Sequence, residues 1–234
     1  MTRFASFRDS SEGRDGVVYE VRVGHPFVEL TSCVQELNAD LLVLGRRGLS
    51  EGEHTVGTIA TKCVRKTPSM VALIHDKSPV MLHRIAACVD FSETSAKALR
   101  LAAEMADAEG AALHVLHVHY PSWLHPTHVL YDLSQFPDEE HRQEYERVLN
   151  MEMDTLVKPI QADYPNLKIE TDCIEHANPA YGIANHLREN AIDLAVLGTR
   201  GRTGLKALLM GTTAEHLLHE APCSVLTVKP EDFS

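Results

Sequence analysis

Asp193-Leu194-Ala195-Val196-Leu197-Gly198-Thr199-Arg200-Gly201-Arg202-Thr203-Gly204-Leu205-Lys206-Ala207-Leu208-Leu209-Met210-Gly211-Thr212-Thr213 passes from an apolar run into a glycine-rich loop. Ala214, Leu217, Leu218 and Ala221 then recur at helical spacing. A strand that feeds a glycine loop and opens on a helix start gathers bare backbone N–H groups at the positive end of a helix dipole. That arrangement suits a phosphate, so the stretch reads as a nucleotide-phosphate cradle. The bland alternative stays open: Gly198 and Gly201 turn the chain and Gly211 merely begins a helix.

Working outward, the same order of features occurs earlier in the chain. Asp40 matches Asp193, Gly48 matches Gly201 and Pro26 matches Pro179 at a separation of 153, while Gly57 matches Gly211 and Pro68 matches Pro222 at 154. The changed offset means one residue fewer in the first loop, where Gly45-x-x-Gly48 is followed by eight residues before Gly57-Thr58. The chain therefore contains an internal duplication, and the first copy is about 70 residues shorter than the second. We expect a partial unit at 1–76, a connector at 77–82 and a complete unit at 83–234.

In the first unit, Val17 to Val23 alternates like a strand, Pro26 opens a helix with Phe27, Leu30, Val34 and Leu37 inward, and Leu41 to Leu44 forms a strand. A short helix carries Ala60, Cys63 and Val64 on one face, and Met70 to Ile74 is a further strand. In the second unit, Arg84 to Asp90 reads as a buried strand ending in a carboxylate. Ser92 caps the next helix and Gly110 ends it. Strands follow at Ala112 to His119, Lys168 to Ile174, Asp193 to Leu197 and Cys223 to Val228, with a long helix from Asp138 to about Ala162 and another opened by Pro179. Strands alternating with helices imply an α/β protein whose parallel sheet is covered on both faces.

Composition narrows the function. With 22 basic against 33 acidic residues the formal charge is −11, which opposes non-specific association with nucleic acid or an anionic membrane. No run approaches the roughly 18 apolar residues a spanning helix needs. The five cysteines are widely spaced and form no CxxC, so neither a disulfide framework nor a zinc site is expected, and cytoplasmic residence follows. His114, His117, His119, His125 and His128 cluster in sequence, with His117 and His119 on one strand face and His114 on the other. No ligand spacing surrounds them, and no metal site is expected there. The P-loop, the GxSxG elbow and HExxH are missing, and no Asp or Glu lies between Gly198 and Ala214 to position a hydrolytic water. No catalytic residue is assigned and the protein is not expected to be an enzyme.

Gly198-x-x-Gly201, nine residues, then Gly211-Thr212, together with Val89-Asp90-x-Ser92, resembles the nucleotide loop and opening strand of the universal stress protein family, in a tandem arrangement with a truncated first domain. The resemblance implies an open five-stranded parallel sheet of order 3-2-1-4-5 with helices on both faces, preceded by a partial copy. Ligands in such sheets bind beyond the carboxyl ends of the strands where the order reverses. The resemblance also implies that Asp90 and the backbone around Cys88 face an adenine and that Val118 walls it. It implies that Gly198, Arg200, Gly201, Gly211, Thr212 and Thr213 hold the ribose and phosphates of ATP or AMP, with Mg2+ as the accompanying ion. Cys88 stands where proline or alanine is expected, and Ala214 where a hydroxyl is frequent. Asp90 also has an alternative as a cap for the following helix.

Family members pair through their last strands, which would set Met70 to Ile74 beside Ser224 to Val228 as a pseudo-dimer within one chain. The first loop, lacking an aspartate-bearing neighbour strand, is expected not to bind nucleotide. Exposed edges of the partial unit favour a homo-oligomer. The expected function is an adenine-nucleotide-binding stress sensor or regulatory module. Its alternatives are a nucleotide-independent assembly scaffold and a low-turnover ATPase.

Overall fold

A computed structural model describes residues 17–46, 56–120, 139–201 and 210–230. The first unit supplies α1 (Pro26–Leu37), β1 (Leu41–Gly45), α2 (Thr58–Lys66) and β2 (Met70–Ile74). The second supplies β3 (Arg84–Cys88), α3 (Glu93–Glu109), β4 (Ala112–His119), α4 (Glu139–Asp163) and β5 (Ile169–Glu175). It continues with α5 (Pro179–Glu189), β6 (Leu194–Gly198), α6 (Thr212–Glu220) and β7 (Ser224–Val228). Local chemistry sets these boundaries. Ser92 accepts a hydrogen bond from the Ser95 N–H at the start of α3, and Gly110 ends that helix at φ 67°. Prolines occupy the first turns of α1 and α5, where their missing N–H costs no helical bond.

All seven strands join one sheet in the order β1-β2-β7-β6-β3-β4-β5. The expectation of a five-stranded sheet is thus corrected. The strands of 83–234 follow one another as β5-β4-β3-β6-β7, and β2 and β1 continue the sheet past β7. β2 lies antiparallel to β7, so the sheet is mixed, while every other pair is parallel. Ala72 faces Leu226, its own counterpart in the repeat, and Val71 faces Thr227. A pseudo-twofold axis therefore passes beside Ala72, and the expected pairing of the two terminal strands is present inside one chain. The Thr227 hydroxyl donates to Val71 O across this seam, where both residues are buried.

Apolar side chains of α2, α5 and α6 form a core on one face of the sheet, and those of α3 and α4 form a core on the other. Ala98, Ala102, Ala103 and Ala106 let α3 lie close on the strands. Cations fix the seam from both sides. Arg46 of the first unit donates to the Ala221 and His219 carbonyls at the end of α6. Lys229 of the second donates to Val64 O in α2, and Arg65 pairs with Glu215.

Two expectations in the first unit fail. Val17 to Val23 is irregular, with Val18 88% and Val23 96% exposed: the alternation has no neighbouring strand to pair with. Leu37 is 67% exposed because it sits at the last position of α1, before Asn38 turns the chain at φ 48°. Among the described residues, no helix is long and apolar enough to cross a membrane.

Candidate functional site

The order in which successive strands are added reverses between β3 and β6, which are parallel neighbours with Cys88 level with Leu197. Past β3 the chain runs Val89, Asp90, then Phe91 at φ 61°, a left-handed conformation that turns it sharply into α3. Asp90 Oδ1 accepts from the Ser92 N–H at 3.1 Å and from the Ser92 hydroxyl at 2.6 Å. The Asp90 N–H donates to Ser95 Oγ at 3.3 Å. One carboxylate oxygen thus holds Ser92, which is itself the N-cap of α3, so Asp90 supports the cap rather than forming it.

The other oxygen faces the glycine loop. A Cβ on Gly201 would stand 2.5 Å from Asp90 Oδ2, far inside contact distance. Two stretches more than 100 residues apart in sequence thus meet beyond the ends of β3 and β6. Gly198, at the end of β6, is equally tight: its Cβ would lie 2.9 Å from Thr94 Cγ2 in the first turn of α3. The Gly211 N–H donates to Thr199 O at 3.1 Å and the Thr199 N–H donates to Val228 O at 3.0 Å. These bonds bring the far end of the loop back to the sheet. Among the described residues, a Cβ on Gly211 would meet nothing within 4 Å, beside Thr212 and Thr213, the first residues of α6. Arg200 is half-buried beside Gly201. Residues 202–209 lie outside the described residues.

Cys88, only 8% exposed, sits at the end of β3, and burial pushes its thiol up to about 12, so it enters the site as a neutral apolar wall. Val118 is half-buried on the α5 side of β4, where its Cγ1 would be 2.8 Å from a Cβ on Gly182.

The sequence did not single out His117 as part of this site. Its Nδ1 donates to Val89 O at 2.8 Å, since a carbonyl can only accept, and its ring centroid lies 4.4 Å from that of Phe91. The bend that aims Asp90 is therefore held from β4. Burial, the largest influence, lowers the His117 pKa and keeps the ring neutral, against the opposing pull of the Val89 carbonyl. His117 and His119 do share a strand face, their rings stacked with centroids 6.1 Å apart. His125 and His128 lie outside the described residues.

The first copy repeats the backbone of this loop. The Arg46 N–H donates to Ile74 O at 2.9 Å and the Gly57 N–H to Arg46 O at 3.0 Å, matching Thr199 and Gly211. Gly57 has φ −58° and ψ 141°, and Gly211 has φ −59° and ψ 141°. What differs is the neighbourhood. Among the described residues β1 pairs with β2 alone, and no second strand stands where β3 stands beside β6, so none of them brings a carboxylate corresponding to Asp90 to the first loop.

A seven-stranded sheet among the described residues, with a glycine loop at its switch point and a pseudo-twofold axis beside Ala72, defines a duplicated α/β protein. The profile of the universal stress protein family matches residues 5–75 and again 81–229, and the chain belongs to that family. It is 30% identical over 158 residues to the universal stress protein YxiE of Bacillus subtilis, covering 64% of this chain and 100% of that one. It is 25% identical over 228 residues to a universal stress protein of Mycolicibacterium smegmatis, covering 92% of this chain and 70% of the relative. The crystal structure of a universal stress protein from Archaeoglobus fulgidus shares the fold, with a TM-score of 0.64 at 19% identity over 91% of this chain and 70% of that one.

Proposed function

We propose that this chain is an adenine-nucleotide-binding stress-response module that holds ATP or AMP in the crevice between the carboxyl ends of β3 and β6. The observation that carries the reading is the juxtaposition of Asp90 Oδ2 with the bare backbone of Gly201 at the switch point of the sheet. A carboxylate there accepts hydrogen bonds from a sugar hydroxyl or an exocyclic amine. Gly198, Gly201 and the open approach to Gly211 let phosphate oxygens reach backbone N–H groups, and Thr212 and Thr213 add hydroxyls at the start of α6. Cys88 and Val118 supply apolar surface for the base, and Arg200 a cation for the phosphates. Mg2+ would accompany the triphosphate through its oxygens.

The module binds rather than catalyses. No Asp or Glu lies between Gly198 and Ala214 in the sequence to orient a water at the terminal phosphate. Occupancy would act by reshaping the loop and the surface it offers to partners. Free thiols throughout suit a reducing, cytoplasmic setting. Self-association is proposed through the first unit, where β1 is an edge strand with Leu41 43% and Val43 55% exposed. β7 is taken by β2 within the chain.

Calorimetric titration with ATP and Mg2+ tests the reading. We expect saturable heat and a rise in Tm. Neither heat nor a thermal shift at millimolar nucleotide would reject it in favour of a nucleotide-independent scaffold, and steady phosphate release would favour an ATPase.

A further inference from the structure

On the face of the sheet that carries α5, away from the nucleotide crevice, three residues from three elements converge. His114 of β4 is only 4% exposed and His186 of α5 only 7%, and Asp172 of β5 completes the group with its side chain about half exposed. One ligand atom from each lies within 4.8 Å of the other two. The register of β4 and β5 sets two of them up, pairing His114 with Glu170 and Leu116 with Asp172. α5 then lays His186 over the pair.

Two buried ring nitrogens have no hydrogen-bond partner, namely His114 Nδ1 and His186 Nε2. Each has a carboxylate nearby, Glu170 Oε2 at 3.5 Å and Asp172 Oδ2 at 3.6 Å, without a hydrogen bond being made. A buried polar atom left unsatisfied is destabilising, and here two fall side by side. Two imidazoles and a carboxylate are the donor set of a borderline divalent ion such as Zn2+, with ligand bonds of about 2.0–2.2 Å. A cation among them would satisfy both nitrogens and the Asp172 carboxylate at once, while Glu170 pairs through Oε1 with Lys168 at 2.5 Å and turns Oε2 toward His114.

We infer that His114, Asp172 and His186 form a binding site for a divalent transition-metal ion, with Zn2+ as its natural occupant. Glu170, beside His114, provides the fourth ligand or orients a bound water, and the half-exposed Asp172 side chain is the way in from solvent. An ion here would pin α5 to β4 and β5. The same helix packs against Val118, so the metal would stiffen one wall of the nucleotide crevice without touching Asp90 or the glycine loop.

The test uses the whole chain stripped with chelator and titrated with Zn2+ in competition with a chromophoric chelator, and with Co2+ to read its visible ligand-field bands. The wild-type chain should bind one ion tightly and gain Tm with zinc. Asp172→Asn, a half-exposed isosteric change that should leave the fold intact, and His186→Asn should each weaken binding by at least about tenfold and abolish the cobalt spectrum. His119→Asn, on the opposite face of β4, should leave both unchanged. Absence of stoichiometric binding by the wild-type chain, or binding that survives both Asp172→Asn and His186→Asn, would overturn the assignment whatever the result with nucleotide.

Discussion

Asp90 Oδ2 lies where the missing side chain of Gly201 would stand, 2.5 Å from its Cβ position, while Asp90 Oδ1 is tied to Ser92. Swinging the carboxylate aside would break its two hydrogen bonds to Ser92, the N-cap of α3. Gly201→Ala should therefore lower nucleotide affinity more than tenfold and also cost about 1–3 kcal/mol of stability, the usual range for overpacking. Titration with ATP and urea unfolding of the same protein measure the two effects. Unchanged affinity would contradict the placement of the nucleotide.

Gly211 makes the complementary case. No described residue lies within 4 Å of its Cβ position and its backbone suits any residue, so Gly211→Val should stay within about 1 kcal/mol of wild-type stability, the scale of an N-cap change. The added side chain occupies the approach for phosphate. Loss of ATP binding with a preserved Tm is the expected outcome, and binding at wild-type strength would count against a phosphate site there.

The seam between the two units should depend on Arg46 far more than on Arg65. Arg46 is buried and donates to the Ala221 and His219 carbonyls, whereas the Arg65 pair with Glu215 is about one-third exposed on each side. Hydrogen bonds from charged groups are worth about 1.5–3 kcal/mol each. Exposed ion pairs are worth about 0.2–1 kcal/mol. Chemical denaturation of Arg46→Ala and Arg65→Ala should reproduce that order.

Acidification should loosen the bend at Asp90. Because burial lowers the His117 pKa in the folded chain, the unfolded chain binds the proton more readily between the folded value and the ordinary 6.5. Stability from this group is present at neutral pH and declines as pH falls through 6.5 toward the folded pKa. His119, Asp90, Glu152 and the Val89 carbonyl are the polar groups acting on the ring. His117→Gln, which retains a donor toward Val89, should flatten the fall in urea midpoint between pH 7 and 5; an equally steep fall would place its origin elsewhere.

Thiol reactivity offers a check on the core. Cys88 and Cys223 are buried, and burial pushes both thiols up to about 12. The thiolate is the reactive form, so neither should alkylate in the native chain. Mass spectrometry after native treatment with iodoacetamide should find both unmodified until denaturant is added.

Much of the architecture was legible because its physical signals are local. The 3.6-residue spacing of Ala60, Cys63 and Val64, the Ser92 cap and the Gly110 stop each act within a few residues, and the duplication is visible as fixed separations. Asp90 and Gly201 were legible as a pair only through the family's strand order. Three features were not legible. The Val17 to Val23 alternation depends on a partner strand that is not beside it. The role of His117 depends on β4 lying next to the bend after β3. The group of His114, Asp172 and His186 requires strand register and helix docking together, since its members are 58 and 14 residues apart.

The most direct test of the central claim is a crystal structure of the chain grown with ATP and Mg2+. The account predicts one nucleotide per chain, its density running from Asp90 and Cys88 across Gly201 to the start of α6, with the first loop at Gly57 empty. Nucleotide bound at Gly57, or elsewhere on the sheet with the Asp90–Gly201 crevice vacant, would contradict it.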